Sequence, residues 1–169
     1  MIVRSACVSD AAALADLYNQ LGVATTASYD TAPVDTAQRL AWLGEHQANG
    51  WPVLVADDDG AVVGFAAYSP FNPKPGYRHT VEHSVYLLPS CQGQGVGRAL
   101  MHQLIAAAQN DGRHAMVGLV DAANSGSIAF HEHLGFTTVG VLPQVGRKFD
   151  QWLDVAVQVL VLISDRVER

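Results

Sequence analysis

Residues 92–98 read Gln92-Gly93-Gln94-Gly95-Val96-Gly97-Arg98, and the position of this stretch decides the fold. The run Thr80 to Leu88 before it has the composition of a strand, and the run Val96 to Ala108 after it has apolar residues at helical spacing. A strand, a glycine-rich turn and a helix in this order present free backbone N–H groups and a positive helix end to an anion. The stretch therefore predicts a site for a pyrophosphate-bearing cofactor.

The glycines of this stretch fit one nucleotide-binding pattern and fail two others. A Walker loop needs Lys and then Ser or Thr after its second glycine, and a dinucleotide fingerprint needs G-x-G-x-x-G near the start of a domain; neither is present. The pattern Q-x-x-G-x-G is present at Gln92, Gly95 and Gly97, and it resembles the acetyl-coenzyme A loop of the GNAT superfamily of N-acetyltransferases. The alternative is an ordinary glycine-rich turn.

Composition narrows the class of protein and its partners. The chain has 169 residues, of which 49% are hydrophobic, so we expect a single globular domain over residues 1–169. The net charge is −6 with no basic run, which disfavours nucleic-acid and membrane partners. No apolar stretch has spanning length, and the N-terminus is typical of a strand rather than of a signal peptide. The cysteines, Cys7 and Cys91, lack metal-site spacing, so we expect no metal and a cytoplasmic location.

The pattern of apolar and turn residues predicts an α/β fold with a mixed, mostly antiparallel sheet of about seven strands and flanking helices. The predicted strands are Ile2 to Arg4, Pro52 to Ala56, Val62 to Tyr68, Thr80 to Leu88, Met116 to Val120, Thr137 to Val145 and Trp152 to Ile163. The predicted helices are one capped by Ser9-Asp10 with an apolar stripe of Leu14, Leu17 and Leu21, then Thr36 to Gln47, Val96 to Ala108 and Asn124 to Leu134. A tight turn at 57–60 joins two strands, Gly135 ends the last helix, and 69–78 is a loop.

This order of elements is also that of the GNAT fold, which supports the interpretation of the loop. Transfer of an acetyl group from a thioester to an amine requires a base for the amine, a polarised carbonyl and a proton for the leaving thiolate. Glu82 is the candidate base, because a carboxylate inside an otherwise neutral strand is unusual and a half-buried cleft would raise its pKa. The alternative is a solvated, outward-facing side chain.

Three polar residues of the last predicted helix, Asn124, Ser127 and His131, share one face at i, i+3 and i+7. Asn124 and Ser127 are candidates to bond the pantetheine amides, or one of them simply caps the helix. His131 is the candidate proton donor to the departing sulfur, the alternative being a surface histidine beside His133.

The strand that carries Glu82 offers backbone groups as well as a side chain. An extended pantetheine arm can pair with a strand edge as if it were another strand. The backbone of Val85, Tyr86 and Leu87 is therefore expected to bind the cofactor and to polarise the thioester carbonyl.

Taken together, these motifs resemble a narrower group, the phosphinothricin and methionine sulfoximine N-acetyltransferases, over essentially the whole domain. The matching segments are 18–19, 25–27, 33, 80–86, 92–98, 124–127, 130–132, 134–136, 144–149 and 152–154. The resemblance implies that Glu82 is the base, that His131 stands where many wider relatives have Tyr, and that acetyl-CoA acetylates the amino group of a glutamate- or methionine-derived analogue. It also implies a homodimer and a role in herbicide or antibiotic resistance.

The residues that would hold the acceptor depart in part from this group. Tyr29 keeps the expected aromatic, but Thr31 stands where relatives often carry an acid, and Asn72 where many carry Arg. The candidate substrate residues are therefore Tyr29 together with Arg78, His79 and Thr80, with loop-to-strand packing as the alternative for the last three.

Two other functions remain open from the sequence. The same fold can acetylate a polyamine or a protein N-terminus. An acidic surface would favour a polyamine, whereas the compact, aromatic-rich Val23 to Val34 segment favours a small acceptor. A non-catalytic acyl-CoA-binding module would keep the loop and lose the base and the acid, whereas this chain has both Glu82 and His131.

Overall fold

The computed structural model describes residues 1–162, and these residues build one seven-stranded sheet with helices on both faces. The strands are β1 (Ile2–Ser5), β2 (Val53–Asp58), β3 (Ala61–Pro70), β4 (Thr80–Leu87), β5 (Ala115–Asp121), β6 (Thr137–Lys148) and β7 (Gln151–Val161). The α-helices are α1 (Ala11–Tyr18), α2 (Thr36–Ala48), α3 (Val96–Asn110) and α4 (Ser125–His133).

The strand order in the sheet is β1-β2-β3-β4-β5-β7-β6. Only β4 and β5 pair in parallel, and the other neighbouring strands are antiparallel. The predicted mixed, mostly antiparallel α/β sheet is confirmed, with element ends within a few residues of those expected. The predicted end of the last strand at Ile163 lies outside the described residues.

The sheet opens between its two parallel strands, and this opening positions the site. β4 pairs with β5 only over 80–82, opposite 115–117. Beyond Glu82, β4 stays paired with β3 and β5 stays paired with β7. Within residues 1–162, the edge of 83–87 and the edge of 118–121 that faces it are therefore left without a paired strand. Polar backbone groups along such an edge are available to an extended ligand.

Two apolar clusters hold the sheet, one on each face. On one face α3 buries Leu100, Met101 and Leu104 against the sheet. On the other face α1 and α2 bury Leu14 and Leu43 against the sheet, together with the other members of that cluster. The apolar face predicted for the helix after the glycine-rich loop is thus the face that anchors the loop to the sheet.

The first helix differs in detail from its prediction. Asp10 precedes α1, but its carboxylate makes no cap bond to that helix; it accepts from the Cys7 N–H at 2.8 Å and pairs with the Arg4 guanidinium at 2.7 and 2.9 Å. A fixed cation on the neighbouring strand offers stronger hydrogen bonds than the helix end does. Beyond Tyr18 the chain forms a π-helical turn, Asn19–Val23, that contains Leu21.

Several turns are as predicted, and one loop is shorter than predicted. Asp59 and Gly60 have φ values of 51° and 91°, as a tight hairpin turn of this kind requires, and Gly135 ends α4 with a φ of 95°. The loop expected at 69–78 loses its first two residues to β3 and contains a 3₁₀ turn, Pro75–Tyr77. Within residues 1–162 no helix combines the length and the apolar character that crossing a membrane requires.

Candidate active site

A cavity of ≈ 530 Å³ lies at the opening between β4 and β5. Its walls come from β4, β5, the start of α4, helix α2 and the segment 26–30. Glu82, Asn124, Ser127 and His131, which are distant in sequence, line this one cavity. The fold therefore brings together the candidate base and the polar face of α4.

Glu82 is the last residue of β4 to pair with β5, opposite Val117, and it sits where the two strands part. Its side chain is half-buried and has no hydrogen-bond or ion-pair partner among residues 1–162. Burial raises the pKa of Glu82 above the usual carboxylate value, because the charged form loses hydration. A carboxylate with a raised pKa and free oxygens in a cavity is suited to accept a proton. A fully solvated position, the alternative for Glu82, is wrong.

The start of α4 uses Asn124 as its cap. The Asn124 Oδ1 accepts from the Ser127 N–H at 3.0 Å, which is the capping role weighed above for one residue of this pair. The Asn124 amide NH₂ and the Ser127 hydroxyl remain at the cavity wall, where they can meet polar groups of a ligand. Capping and ligand binding are thus compatible for Asn124.

His131 is buried, with only 3% of its surface exposed, so the alternative of a surface histidine is wrong. Its Nδ1 lies 2.7 Å from the Ser127 carbonyl oxygen, which can only accept, so Nδ1 carries a proton. Its Nε2 is buried without a partner within the described chain. Burial lowers the pKa of His131 and favours the neutral ring, whose Nε2 is bare. His131 can give a proton from Nε2 only while it is imidazolium.

His83 is a component of the site that the sequence analysis did not single out. Its ring stacks on that of His131 with the centroids 5.0 Å apart, and neither of its nitrogens has a partner among the described residues. Gly118 leaves room for this pair, since a Cβ built there would lie 3.0 Å from His83 Nε2. Burial lowers the pKa of His83, and the neighbouring His131 lowers it further, so the surroundings favour the neutral form of both rings.

The glycine-rich loop adopts the geometry that anion binding requires. Gly93 and Gly95 have φ values of 74° and 83°, in the left-handed region, and residues 92–95 are exposed. Gly95 is the N-cap of α3 and supplies no side-chain cap, so the first N–H groups of that helix are left for a ligand. A Cβ on Gly97 would lie 3.4 Å from the Phe130 ring, so the absence of a side chain at Gly97 lets α3 and α4 pack closely at this end.

The unpaired backbone groups of the glycine-rich loop and of the β4 edge fit two parts of coenzyme A. The loop residues Gln92 to Arg98 expose N–H groups at a positive helix end, which suits a diphosphate. The unpaired edge of β4 at Val85, Tyr86 and Leu87 runs from this loop towards Glu82 and suits an amide-bearing arm.

The four predicted substrate residues separate in the structure. Tyr29 lines the cavity; its ring packs over Gly146, where a Cβ would overlap it, and its hydroxyl is buried without a partner in the described chain. Arg78, His79 and Thr80 are not in the cavity wall.

Those three residues lie instead at the start of β4, against the turn between α3 and β5. The Arg78 carbonyl accepts from Arg113 at 2.7 Å, the His79 ring approaches the Gly112 carbonyl at 3.3 Å, and Thr80 pairs with Ala115. This is the loop-to-strand packing considered above, and the structure does not bring these residues together with Tyr29.

The cavity also contains residues that sequence reasoning missed. Arg39 of α2 is only 5% exposed and lies between the rings of Tyr18 and Trp42, at 4.3 and 4.5 Å from their centroids. A signal for it exists, because Arg39, Leu43 and His46 share one helix face, and a cation on an apolar face is unusual.

Polar contacts from Lys148 and from Tyr18 fix the segment 26–30 and the residues just before it. The Lys148 ammonium donates to the carbonyls of Gly22, Thr25 and Ser28, and the Asp30 carboxylate accepts from the Tyr18 hydroxyl. Lys148 is 4% exposed, so this cation serves the backbone of the wall rather than the cavity. No pattern in the sequence pairs position 148 with a loop more than a hundred residues away.

Comparisons with known proteins agree with this geometry. The family described as the acetyltransferase (GNAT) family matches residues 14–136. An L-methionine sulfoximine/L-methionine sulfone acetyltransferase of Salmonella typhimurium is 43% identical over 162 residues, covering 96% of this chain and 95% of the relative. An L-amino acid N-acyltransferase of Escherichia coli is 41% identical over 168 residues, covering 99% and 97%. A phosphinothricin acetyltransferase from Sinorhizobium meliloti, solved in complex with acetyl-CoA, superposes with a TM-score of 0.92 at 31% identity, covering 99% of this chain and 91% of that one.

Proposed function

This chain belongs to the GNAT family of acetyltransferases, and we propose that it is an acetyl-CoA-dependent N-acetyltransferase for small amino acid analogues. The acceptor is the amino group of a glutamate- or methionine-derived compound of the phosphinothricin or methionine sulfoximine type, which relatives acetylate by name. The observation that carries the proposal is the cavity at the β4–β5 opening. Glu82, whose side chain has no partner among the described residues, lines this cavity together with Tyr29 and with the predicted cofactor groups Asn124 and Ser127.

The chain's own groups divide the work of the reaction. When bound, acetyl-CoA supplies the acetyl group as a thioester. The loop N–H groups and the positive end of α3 hold its diphosphate, and the amide of Asn124 and hydroxyl of Ser127 orient its arm. Glu82 accepts a proton from the attacking amine, directly or through one water, which direct attack on the thioester requires. A backbone N–H of the free β4 edge polarises the carbonyl oxygen.

We propose that His131 donates a proton to the leaving thiolate, which requires that its ring is first protonated. Its bare Nε2 must first take a proton, and burial opposes this in the free enzyme. We propose that it acts as imidazolium only in the loaded site, where a developing thiolate favours the charged ring.

The experiment that tests the proposed function is a thiol-release screen with acetyl-CoA. It compares methionine sulfoximine, methionine sulfone and phosphinothricin with ordinary amino acids, spermidine and a peptide with a free N-terminus. We expect release with the amino acid analogues at least ten times faster than with spermidine or the peptide. Faster release with spermidine or the peptide would overturn the acceptor class, and tight coenzyme A binding with no release against any amine would overturn the enzyme.

We propose a homodimer through the edge formed by β6. This strand and its hairpin with β7 expose Val139, Val141, Leu142 and Trp152 to solvent, and among the described strands β6 pairs only with β7. An exposed apolar edge strand is a site for pairing with another chain. A dimer mass by sedimentation is expected, and Val141→Lys should shift it towards monomer while cavity residues stay intact.

The remaining proposals concern extent, location and consequence. We propose that residues 1–169 form one domain, since the described residues share one sheet, and that the enzyme works in the cytoplasm, where its free Cys7 and Cys91 stay reduced. Acetylation removes the charge of the acceptor's ammonium group and two of its three N–H donors, so a toxic analogue would lose contacts with its own target. We therefore propose that the activity confers resistance to such analogues.

A further inference from the structure

Arg39 is a buried cation that forms no ion pair within the described residues, although the Asp30 carboxylate of the same cavity favours its charge from a longer distance. Its side chain makes no hydrogen bond or ion pair of salt-bridge length to any residue of the described chain, and its Nε is fully buried and unpaired. A buried charge is retained when a counter-charge reaches it, because the loss of hydration must be offset. Within residues 1–162 the Asp30 carboxylate acts on Arg39 only beyond ion-pair distance, and it accepts from the Tyr18 hydroxyl. The guanidinium donors are therefore left for an anion from outside the chain.

Aromatic rings surround the Arg39 guanidinium. Its central carbon lies 4.3 Å from the centroid of the Tyr18 ring, 4.5 Å from that of Trp42 and 5.9 Å from that of Phe65. Aromatic contacts of this kind occupy the faces of the guanidinium and leave its edges, which carry the N–H donors, for a ligand. Arg39 lines the same cavity as Glu82 and Tyr29.

Among residues 1–162, the other cations do not compete for this role. Of the residues that line the cavity, Arg39 is the only lysine or arginine in the described part of the chain. Lys148 is committed to three backbone carbonyls, and Arg78 lies at the other end of β4 against the turn at Gly112 and Arg113. Asn72, in the loop before β4, is uncharged and does not line the cavity.

We infer that Arg39 binds the carboxylate of the acceptor amino acid through the donors of its guanidinium. The inference rests on the proposed function, and it names the part of the acceptor that the site recognises. The cavity then matches a zwitterion: Arg39 meets the carboxylate, and the carboxylate of Glu82 faces the amino group. The buried Tyr29 hydroxyl, which lacks a partner in residues 1–162, is a second donor available to the same acceptor. A cation such as a polyamine would leave Arg39 unpaired, so the site selects against it.

The test compares methionine sulfone with its carboxamide, which keeps the amino group and loses the negative charge. The quantity measured is the ratio of kcat/KM for the acid to kcat/KM for the amide. Comparing this ratio between variants cancels the different reactivities of the two amines. Arg39→Gln should lower the ratio about 100-fold, equivalent to about 2.7 kcal/mol, mainly through KM for the acid. Turnover of the amide should stay within about threefold of wild type.

Arg78→Gln is the matched variant, since it removes an arginine that the structure places outside the cavity. It should keep the acid-to-amide ratio of wild type. A ratio unchanged in Arg39→Gln, or lowered in Arg78→Gln instead, would overturn the inference.

Two additions keep the test decisive. If Arg39→Gln loses its fold because its aromatic contacts are lost, Arg39→Lys keeps the charge without the planar fork and should lower the ratio about tenfold; an unchanged ratio in that variant overturns the inference. Calorimetric binding of the acid and the amide in the presence of coenzyme A separates the inference from the proposed function. Preferential binding of the acid that Arg39→Gln abolishes supports Arg39 even if wild type releases no thiol, and equal binding of both compounds refutes it.

Discussion

Replacing Glu82 by glutamine removes the proposed base and changes little else. The glutamine side chain has the same shape, and Glu82 has no partner within the described chain whose loss would confuse the result. Proton transfer by a positioned side chain contributes about 10²–10⁴-fold to a rate, which is about 2.7–5.4 kcal/mol of barrier. We expect kcat of Glu82→Gln to fall within this range at neutral pH, with the Kd for acetyl-CoA unchanged.

The pH profile gives an independent readout of the same group. Because burial raises the pKa of Glu82, wild-type kcat/KM should fall on the acid side with an apparent pKa above the ordinary glutamate value of about 4.3. Glutamine cannot titrate, so that limb should be absent from the variant.

Stability supplies the control for folding. A carboxyl whose folded pKa is raised stabilises the fold below its unfolded pKa, and this contribution is lost as pH rises through the folded value. Glu82→Gln should therefore have a Tm at neutral pH no lower than that of wild type, and the exposed Glu45 provides a matched Glu45→Gln variant with normal kinetics. If Glu82→Gln turned over a good substrate at the wild-type rate, or kept the acid limb, Glu82 would not be the base.

Three further changes probe the loop, the acid stability and the core. Gly95→Ala forces an alanine to a φ of 83°, so we expect about 1–2 kcal/mol of destabilisation and a higher KM for acetyl-CoA; an unchanged KM would mean that the loop does not bind the diphosphate. The Arg4 guanidinium lowers the pKa of Asp10 to about 2, so wild type should lose about 2 kcal/mol of stability as pH falls from about 4 through 2, and Asp10→Asn should show no such loss in a pH series of Tm values. Leu100→Ala at a fully buried position should cost about 2–5 kcal/mol in urea unfolding, and a cost below 1 kcal/mol would contradict the packing of α3 on the sheet.

The fold was predictable because its signals are local. Alternating apolar residues, the tight turn at Asp59-Gly60 and the apolar stripe of α3 each act within a few residues, and together they determine the element order. The cap of α1 was not predictable in the same way, because the carboxylate of Asp10 pairs with the Arg4 guanidinium of strand β1 instead of with the helix. A contact between elements overrides a local preference that is worth only about 1 kcal/mol.

The site was predictable where a residue's own type gave the signal. Glu82 is a charge in a strand interior, and Asn124, Ser127 and His131 repeat at helical spacing, so their shared cavity follows from the order of elements. The burial of His131 did not follow, since it depends on the stacked ring of His83 and on the missing side chain of Gly118.

The acceptor side was the least predictable part. Arg78 and His79 precede the strand of the base in sequence, but the geometry of β4 places them at the far end from the opening. Arg39 was missed because its proposed role depends on its contacts with the rings of Tyr18 and Trp42 and on the lack of an ion-pair partner among residues 1–162, which are properties of the packed cavity. A sequence pattern identifies residues whose spacing or type is unusual within their own segment. It does not identify a residue whose role depends on contacts with distant segments.

The most direct measurement is a crystal structure of the chain with coenzyme A bound. We expect diphosphate oxygens within hydrogen-bond distance of the backbone nitrogens between Gly93 and Arg98, and a thiol that enters the opening beside Glu82. A nucleotide bound at another face, with these nitrogens solvated, would contradict this expectation.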